Sequence, residues 1–281
     1  MTHQRAVDWL AEFAPGGEVA FRIGRSGDDV VAEWLGIVRL VARRDGSHAR
    51  MEPAEGARQR DVDRVTNGSA VLLLRELRGQ VALHGAAVGL GENAVVLLGR
   101  SGMGKSTLAA ALCRDPRVTL LADDAVALDR SVEGGWAISP IDRHHWLDAD
   151  AVAALDATPL DTISVKAPVV PPRLGAKTTR VVGFLDLTWI ETGKARVTRI
   201  RGVDAMCALV PQAVRFILDE PARQRRELEV LASIVESIPI YRLERVRRLD
   251  DASLGETTGL VIDLLLSPRS TSAVTQEQVS P

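Results

Sequence analysis

The chain has 281 residues, of which 46% are hydrophobic and 26% are charged, a balance close to that of soluble globular proteins. This composition excludes wholesale disorder, a collagen-like fold and a small disulfide-rich domain, and the length predicts one large or two modest domains. A net charge of −2 and an aromatic content of only 4% argue against nucleic acid as a partner, because such proteins carry basic patches and base-stacking rings.

Signals for export or membrane insertion are the next feature. Residues 1–13 lack the apolar core of a signal peptide, and no apolar run approaches the roughly 18 residues of a membrane span. The two cysteines, Cys113 and Cys207, show no metal-ligand spacing, which favours free thiols in a reducing compartment. We therefore expect a cytoplasmic protein without a membrane partner.

The pattern in residues 1–64 predicts a small β-containing accessory region. Alternating hydrophobicity predicts strands over Glu18–Ile23 and Gly36–Val41. The polar stretch Arg43–Arg64 is predicted as a loop.

Residues 65–266 show the pattern of an α/β domain. A first helix is predicted to begin at Asp63 or Thr66 and to end near Gly79. Asn93–Leu98 is continuously apolar, as expected of a strand buried on both faces. The other predicted strands are Val81–Leu83, Val118–Leu121, Ala125–Leu128, Trp136–Ser139, Val181–Leu187 and Ile240–Leu243. The other predicted helices are Lys105–Cys113, Ala149–Leu155, 223–237 and Thr257–Leu266. The remaining predictions are a turn at Ser131–Gly135, a loop at Pro168–Arg180 and a disordered tail at 267–281.

Residues 99–106 match the phosphate-binding loop, in which a glycine is followed after four residues by Gly-Lys-Ser or Gly-Lys-Thr. The motif lies between a predicted apolar strand and a predicted helix, which is the context that this loop requires. At average amino-acid frequencies a chain of this length would match by chance about 1% of the time. The predicted nucleotide-binding residues are Gly99, Arg100, Ser101, Gly102, Met103, Gly104, Lys105, Ser106 and Thr107.

Each part of this motif has a physical role. The glycines let backbone N–H groups approach phosphate oxygens closely, and the following helix directs its positive end at the same oxygens. Lys105 is expected to reach the β- and γ-phosphates, and the Ser106 hydroxyl is expected to ligate Mg²⁺. The alternative is a glycine-rich turn with only a structural role.

Two adjacent carboxylates, Asp123 and Asp124, follow the predicted strand Val118–Leu121. A carboxylate at the end of a strand beside a phosphate loop can hold Mg²⁺, and a second one can accept a proton from a hydroxyl group. Adjacent residues of a regular strand point in opposite directions, so both can face one site only if the chain turns there. The alternative is that the pair only caps the next element.

Further polar residues at three places in the chain are candidates for a catalytic or metal-binding role. His84 ends the predicted strand Val81–Leu83, where a lone histidine followed by glycine is more often structural. The pair at residues 144–145 has the same ambiguity, and there the structural role is favoured. Asp148 could be a second metal ligand, or it could be the N-cap of the helix predicted to begin at Ala149, which we favour slightly.

Taken together, the segments LHG at 83–85, VVLLGRSGMGKSTL at 95–108 and LADD at 121–124 resemble the catalytic domain of the HPr kinase/phosphorylase family. His84 precedes Lys105 by 21 residues and Asp123 follows it by 18, which is similar to the spacing in that family. The resemblance implies a P-loop kinase core related to phosphoenolpyruvate carboxykinase and HPr kinase. It implies ATP and Mg²⁺ as cofactors and a serine hydroxyl as the phosphate acceptor.

The resemblance also implies roles for individual residues. Lys105 would contact phosphates, Ser106 would ligate Mg²⁺ and Asp124 would lie beside the metal. Asp123 would accept the serine proton with His84 as a supporting catalytic residue. The family's magnesium-binding glutamate segment is absent, which leaves Asp148 as a candidate by position alone.

Two departures from the family pattern narrow the comparison. Thr107 stands where HPr kinases usually have glutamate, and the glycine-rich downstream segment is missing. The chain is therefore more similar to HPr-kinase-related proteins of peptide-modification clusters, including those that phosphorylate lasso-peptide precursors. HPr kinases are hexamers, so a homo-oligomer is compatible with the resemblance, although the surface pattern leaves the oligomeric state open.

The leading hypothesis is a Mg·ATP-dependent kinase acting on a serine or threonine hydroxyl of a peptide or protein. A cation from the loop between Lys166 and Arg180 is expected to approach the phosphates, with Arg173, Lys177 and Arg180 as candidates, unless this loop is only a solvated basic surface. Two alternatives are a kinase for a small metabolite such as free serine, and a non-catalytic binding protein gated by ATP.

Overall fold

The computed structural model is a mixed α/β protein and describes residues 6–131, 134–141, 144–161, 165–217 and 219–267. The chain divides into two compact units. Unit one contains residues 1–83 and 213–231, and unit two contains residues 84–212 and 232–281. This division differs from the boundary predicted after residue 64, because the first two helices and the segment 213–231 group with the N-terminal strands.

Unit one is built on a five-stranded antiparallel sheet whose strands follow one another in sequence order. The strands are β1 (Asp8–Phe13), β2 (Phe21–Ser26), β3 (Asp29–Trp34), β4 (Val38–Arg43) and β5 (Arg50–Pro53). The helices are a 3₁₀ turn at Pro15–Gly17, α1 (Gln59–Asn67) and α2 (Ser69–Leu77). The core forms where Leu73 and Leu77 of α2 pack with the sheet residues Ile23 and Leu40 and with Ile217.

Within unit one, a buried carboxylate binds the segment 213–231 to helix α2. Glu76, near the end of α2, accepts hydrogen bonds from the backbone N–H groups of Phe216 at 2.7 Å and Ile217 at 3.0 Å. Burial raises the pKa of Glu76, and the two N–H donors oppose that rise. Arg223 also donates to the carbonyl oxygen of Glu76. These bonds explain why a segment so distant in sequence belongs to this unit.

The sequence predicted only part of unit one. The strands expected at 18–23 and 36–41 are confirmed as β2 and β4 with their bounds shifted, but β1 and β3 were missed. The loop predicted over Arg43–Arg64 is wrong, because it contains β5 and most of α1. Their polar character misled the prediction: β5 has no buried residue, and α1 buries only Val62 and Val65.

Unit two is built on a mixed sheet around one long strand. Its strands, in chain order, are β6 (Ala82–His84, which begins in unit one), β7 (Ala86–Leu90), β8 (Asn93–Leu98), β9 (Val118–Ala122), β10 (Ala125–Arg130), β11 (Trp136–Ile138), β14 (Thr179–Ile190), β15 (Arg196–Ile200) and β16 (Ile240–Val246). Two further strands, β12 (His145–Leu147) and β13 (Ala167–Val169), form a separate two-stranded sheet. The spatial order is β10-β11-β14-β8-β7-β9, and β16 pairs with β14 and carries β15.

The strand directions bring several chain ends to one edge of this sheet. Strand β14 runs parallel to β8 and β16. Strand β9 runs in the same direction as β8, because both are antiparallel to β7 between them. The carboxyl ends of β8, β9, β14 and β16 therefore meet at one edge, and His84, which precedes β7, lies at the same edge.

The helices of unit two are α3 (Lys105–Leu112), α4 (Ala149–Ala154), α5 (Gly202–Leu209), a 3₁₀ turn at Val210–Gln212 and α7 (Asp251–Leu266), while α6 (Pro221–Ser237) begins in unit one and ends in unit two. Leu108 and Leu112 of α3 and Val261 of α7 pack against Leu97 and Leu185 of the sheet. In the part of the chain that the structure describes, no helix has the length and apolar character needed to cross a lipid bilayer.

The sequence predicted the strands and helices of unit two more accurately than those of unit one. Strand Asn93–Leu98 is confirmed residue for residue, and Val95 to Leu98 are fully buried. The helix predicted at Lys105–Cys113 is confirmed within one residue. Strands β7, β12, β13 and β15 and helix α5 were missed, because each is short, with three to eight residues. The loop predicted at Pro168–Arg180 is wrong at both ends, where it overlaps β13 and the start of β14. The predicted turn at 131–135 lies partly, and the tail predicted from residue 267 almost wholly, outside the described residues.

Leu97→Ala tests the core of unit two. Leu97 lies on β8, and its side chain is fully buried in the cluster that includes Leu108 and Leu112 of α3. We therefore expect the free energy of unfolding to fall by about 2–5 kcal/mol. The measurement is urea unfolding, in which the midpoint should fall while the slope stays unchanged. The matched control is Leu160→Ala, whose side chain is 60% exposed and whose loss is expected to cost less than about 0.5 kcal/mol. Equal losses in both variants would contradict this description of the core.

Candidate active site

The phosphate-loop motif forms the connection between β8 and α3 at the shared sheet edge. Gly104 adopts the left-handed conformation, with φ 73° and ψ 33°, and serves as the N-cap of α3. No side chain caps this helix end, so the N–H groups of its first turn are left for an external anion. The predicted strand–loop–helix context of the motif is therefore confirmed.

Lys105 begins α3 and places its ammonium group inside the loop. Its Nζ atom donates to the carbonyl oxygens of Gly99 at 2.7 Å and Arg100 at 3.3 Å. Burial lowers the pKa of Lys105, and the nearby positive charge of Lys166 lowers it further. Because its hydrogen-bond partners are neutral, the ammonium charge is available for an anion.

Asp123 is buried at the end of β9 and is held by several donors. One oxygen, Oδ1, accepts from the Ser106 hydroxyl at 2.8 Å and from the Asp124 N–H at 2.9 Å. The other, Oδ2, accepts from the Trp146 N–H at 3.0 Å. The Nδ1 atom of His145 lies 3.7 Å from Oδ2, and this ring is also buried. The carboxylate therefore has a fixed position and joins β9 to the first turn of α3.

Asp124 occupies a different environment from its neighbour. Its φ angle is 76°, and this turn brings both adjacent carboxylates to the site, as their joint use requires. The side chain is 65% exposed, and its Oδ1 atom lies 3.5 Å from Nδ1 of His84. Asp124 thus presents a solvent-accessible carboxylate beside an imidazole.

The protonation of His84 reflects these neighbours. Burial lowers the pKa of its imidazole below the ordinary value of 6.5, the charge of Lys105 lowers it further, and Asp124 raises it. The net effect favours neutral imidazole at pH 7. The sequence alone favoured a structural role for this residue, but the structure places it in the same cleft as Lys105 and Asp124.

The remaining predicted residues divide into those inside and those outside the cleft. Ser101, Gly102, Gly104, Ser106, Thr107 and Asp148 line it. Asp148 is confirmed as the N-cap of α4, since its Oδ1 atom accepts from the Ala151 N–H at 2.9 Å. Met103 instead packs against the hydrophobic core.

From the loop between Lys166 and Arg180, Lys166 lines the cleft beside Lys105, whereas the candidates Arg173, Lys177 and Arg180 do not line it. Arg180 donates to Asn93 at the far end of β8, and the Arg173 backbone accepts from Leu120. Trp146, which was not predicted, lines the cleft, and its backbone N–H binds Asp123. His145, for which the sequence favoured a structural role, is buried beside Asp123 and does not line the cleft.

The donor set fits a hard divalent cation such as Mg²⁺. The Ser106 hydroxyl and the two carboxylates are oxygen donors, which Mg²⁺ prefers. Within the described residues no cluster of three or more His, Cys, Asp or Glu side chains could hold a metal ion. A Mg²⁺ ion bound to a nucleotide needs few protein ligands, because phosphate oxygens and water complete its coordination.

Comparisons with known proteins found matches among solved structures alone. No protein-family model and no curated protein matches the chain. A solved structure described as the HPr(Ser) kinase/phosphatase from Coxiella burnetii is similar over 66% of this chain and 91% of its own, with 14% sequence identity and a TM-score of 0.34. A score this low does not establish a shared fold, so the site is interpreted from its own residues.

A titration of His84 tests the electrostatics of the cleft. Followed by NMR through the imidazole Cε1–H signal, the midpoint is expected below 6.5 in the native protein. Lys105→Met should raise it by removing a positive charge, and Asp124→Asn should lower it by removing a negative one. Unchanged midpoints in both variants would show that neither group lies near His84 in solution.

Proposed function

We propose that the chain is a Mg·ATP-dependent kinase that transfers the γ-phosphoryl group to a serine or threonine hydroxyl of a peptide or protein. The observation that carries this proposal is the meeting, in one cleft, of a phosphate loop and an exposed carboxylate–imidazole pair, Asp124 and His84. The loop alone would suit any nucleotide-binding protein. The pair supplies what a transfer to a hydroxyl group needs in addition, a base at the phosphate end.

The loop side of the cleft would hold the phosphates. The free N–H groups at the start of α3 and the ammonium of Lys105 offer positive charge to the β- and γ-phosphates. Lys166 brings a second ammonium to the same cleft and could stabilise the charge that spreads over the transferring group. This is the role for which the sequence had suggested Arg173, Lys177 or Arg180.

The Ser106–Asp123 pair would hold Mg²⁺ at the nucleotide. Bound there, the ion would neutralise charge on the β- and γ-phosphate oxygens. The hydrogen bond that Ser106 donates to Asp123 fixes the hydroxyl group, so that the two lone pairs of its oxygen have defined directions. Since Asp123 is buried and accepts three hydrogen bonds, it suits this supporting role better than proton transfer.

Asp124 is the better candidate for the base, which exchanges the roles that the sequence had suggested for the two aspartates. Its carboxylate is exposed and its side chain is free to reach an acceptor hydroxyl. As the acceptor oxygen bonds to the γ-phosphorus, its proton passes to Asp124, and the bond to the leaving ADP oxygen breaks. Neutral His84 beside it can orient the carboxylate by a hydrogen bond.

The exposure of this base favours a large acceptor. With a side chain 65% exposed, Asp124 is accessible to a serine carried on a polypeptide, whereas a small metabolite would be better served by an enclosed pocket. The motif resemblance supports the precursor of a ribosomally made peptide, such as a lasso peptide, as the first acceptor to test. Free serine is the acceptor for the small-metabolite alternative.

The proposal predicts phosphate transfer by the purified chain. With Mg·ATP and a serine-containing precursor peptide, we expect the peptide to gain the mass of one phosphate, and Lys105→Met to slow transfer by about 10²–10³-fold because it removes charge from the transferring phosphate. Transfer to free serine alone would favour the small-metabolite kinase. ATP binding without transfer to any acceptor would favour the binding protein.

Exchange of each aspartate for asparagine separates their roles. Asp124→Asn should lower kcat by about 10²–10⁴-fold with little change in ATP affinity, since it removes a base. Asp123→Asn should weaken Mg²⁺-dependent ATP binding, since it disturbs the partner of Ser106. Steady-state kinetics and calorimetry, each at several Mg²⁺ concentrations, make the distinction. The opposite pattern would assign the base to Asp123.

A further inference from the structure

Behind the phosphate loop lies a buried arginine that the proposed reaction does not use. Arg245, near the end of β16, is 2% exposed and donates from one Nη2 atom to the carbonyl oxygens of Met103 at 2.8 Å and Gly104 at 3.2 Å. Its guanidinium carbon lies 4.1 Å from the ring centroid of Trp189 on the neighbouring strand β14. Trp189 itself donates from Nε1 to the carbonyl oxygen of Gly102 at 3.3 Å.

The charge of Arg245 is uncompensated. In the portion of the chain covered by the structure, no carboxylate pairs with it, and its buried Nε atom has no hydrogen-bond partner. Burial lowers the pKa of Arg245 to about 10, which still leaves the guanidinium charged at neutral pH. Burying a cation without a counter-charge costs desolvation free energy. The position of Arg245 beside the phosphate loop therefore suggests a functional role.

The geometry of the peptide groups supplies that reason. In a trans peptide the C=O and N–H bonds point in opposite directions. The carbonyl group of Met103 points at Arg245, so the N–H group of Gly104 points away from it. The carbonyl oxygen of Gly104 accepts both from Arg245 at 3.2 Å and from the Leu108 N–H of α3 at 2.9 Å, so Arg245 and the helix together hold the N–H group of Lys105. Gly104 and Lys105 both line the cleft on the other side of the loop.

Gly104 shows how closely the arginine approaches. A Cβ atom at this position would lie 2.6 Å from Nη2 of Arg245 and 3.5 Å from the Trp189 ring. No side chain therefore fits between the loop and the guanidinium. The glycine that the motif requires for its turn is also the glycine that admits Arg245.

We propose that Arg245 is a positioning residue of the phosphate loop, which turns the N–H groups of Gly104 and Lys105 toward bound phosphate and whose own charge that phosphate compensates. The inference rests on the proposed function, in that the loop takes the phosphates of a nucleotide. Trp189 supports the same arrangement by holding the guanidinium and the preceding carbonyl group.

Calorimetry with two probes tests the proposal, Mg·ATP and inorganic tripolyphosphate without metal. Arg245→Gln is expected to weaken the binding of both probes at least tenfold, since it removes the charge and the guanidinium donor. Arg245→Lys keeps the charge and should restore part of the affinity. Arg196→Gln, which removes an exposed arginine from β15 of the same sheet, is the matched control and should bind like the native chain.

Two further measurements separate a positioning role from a packing role. In the native chain, the backbone amide signals of Gly104 and Lys105 should shift on addition of tripolyphosphate, as expected of N–H groups that bind phosphate. Thermal unfolding of ligand-free Arg245→Gln should give a Tm within a few degrees of the native value. A simple packing role would lower that Tm.

The outcomes separate this inference from the proposed function. If the native chain binds neither probe, the proposed function is contradicted. If the native chain binds both and Arg245→Gln binds them equally well, only the role of Arg245 is overturned. That role is also overturned if Arg245→Lys binds no better than Arg245→Gln, or if the two amide signals stay in place as tripolyphosphate binds.

Discussion

The site depends on one hydrogen bond, from the Ser106 hydroxyl to the buried carboxylate of Asp123. It joins the start of α3, which follows β8, to the carboxyl end of β9, another strand of the same sheet. Because Asp123 also accepts from the backbone of Asp124 and Trp146, the phosphate loop, the carboxylate turn and β12 share one fixed point. Loss of that point would separate the phosphate-holding half of the cleft from the half that carries Asp124 and His84.

The two aspartates illustrate how environment divides the work of identical side chains. Asp123 is enclosed and saturated with donors, which suits a carboxylate that must stay in place. Asp124 is open to solvent and has an imidazole as its neighbour, which suits a carboxylate that must meet a substrate. The left-handed backbone of Asp124 creates this difference, because a regular strand would have directed the two residues to opposite faces.

The two cations that contact the phosphate loop have similar hydrogen-bond partners. Lys105 and Arg245 both contact the phosphate loop, and both donate to its carbonyl groups rather than to carboxylates. Within the described residues no carboxylate acts on Arg245, whereas Asp123 and Asp124 compensate part of the charge of Lys105 from a distance. An anion bound at the loop would balance the two positive charges, which links affinity for phosphate to the burial of positive charge.

The amino-acid sequence by itself determined the loop at 99–106, the strand before it and the helix after it, because glycine spacing and apolar runs are local requirements of the backbone. Only the tertiary structure decided which aspartate is buried, that Lys166 enters the cleft, and that Arg245 stands behind the loop. Met103 and Arg245 are 142 residues apart, and their contact arises from the parallel pairing of β14 with both β8 and β16. No local pattern encodes such a pairing, since it depends on how distant strands share one sheet edge.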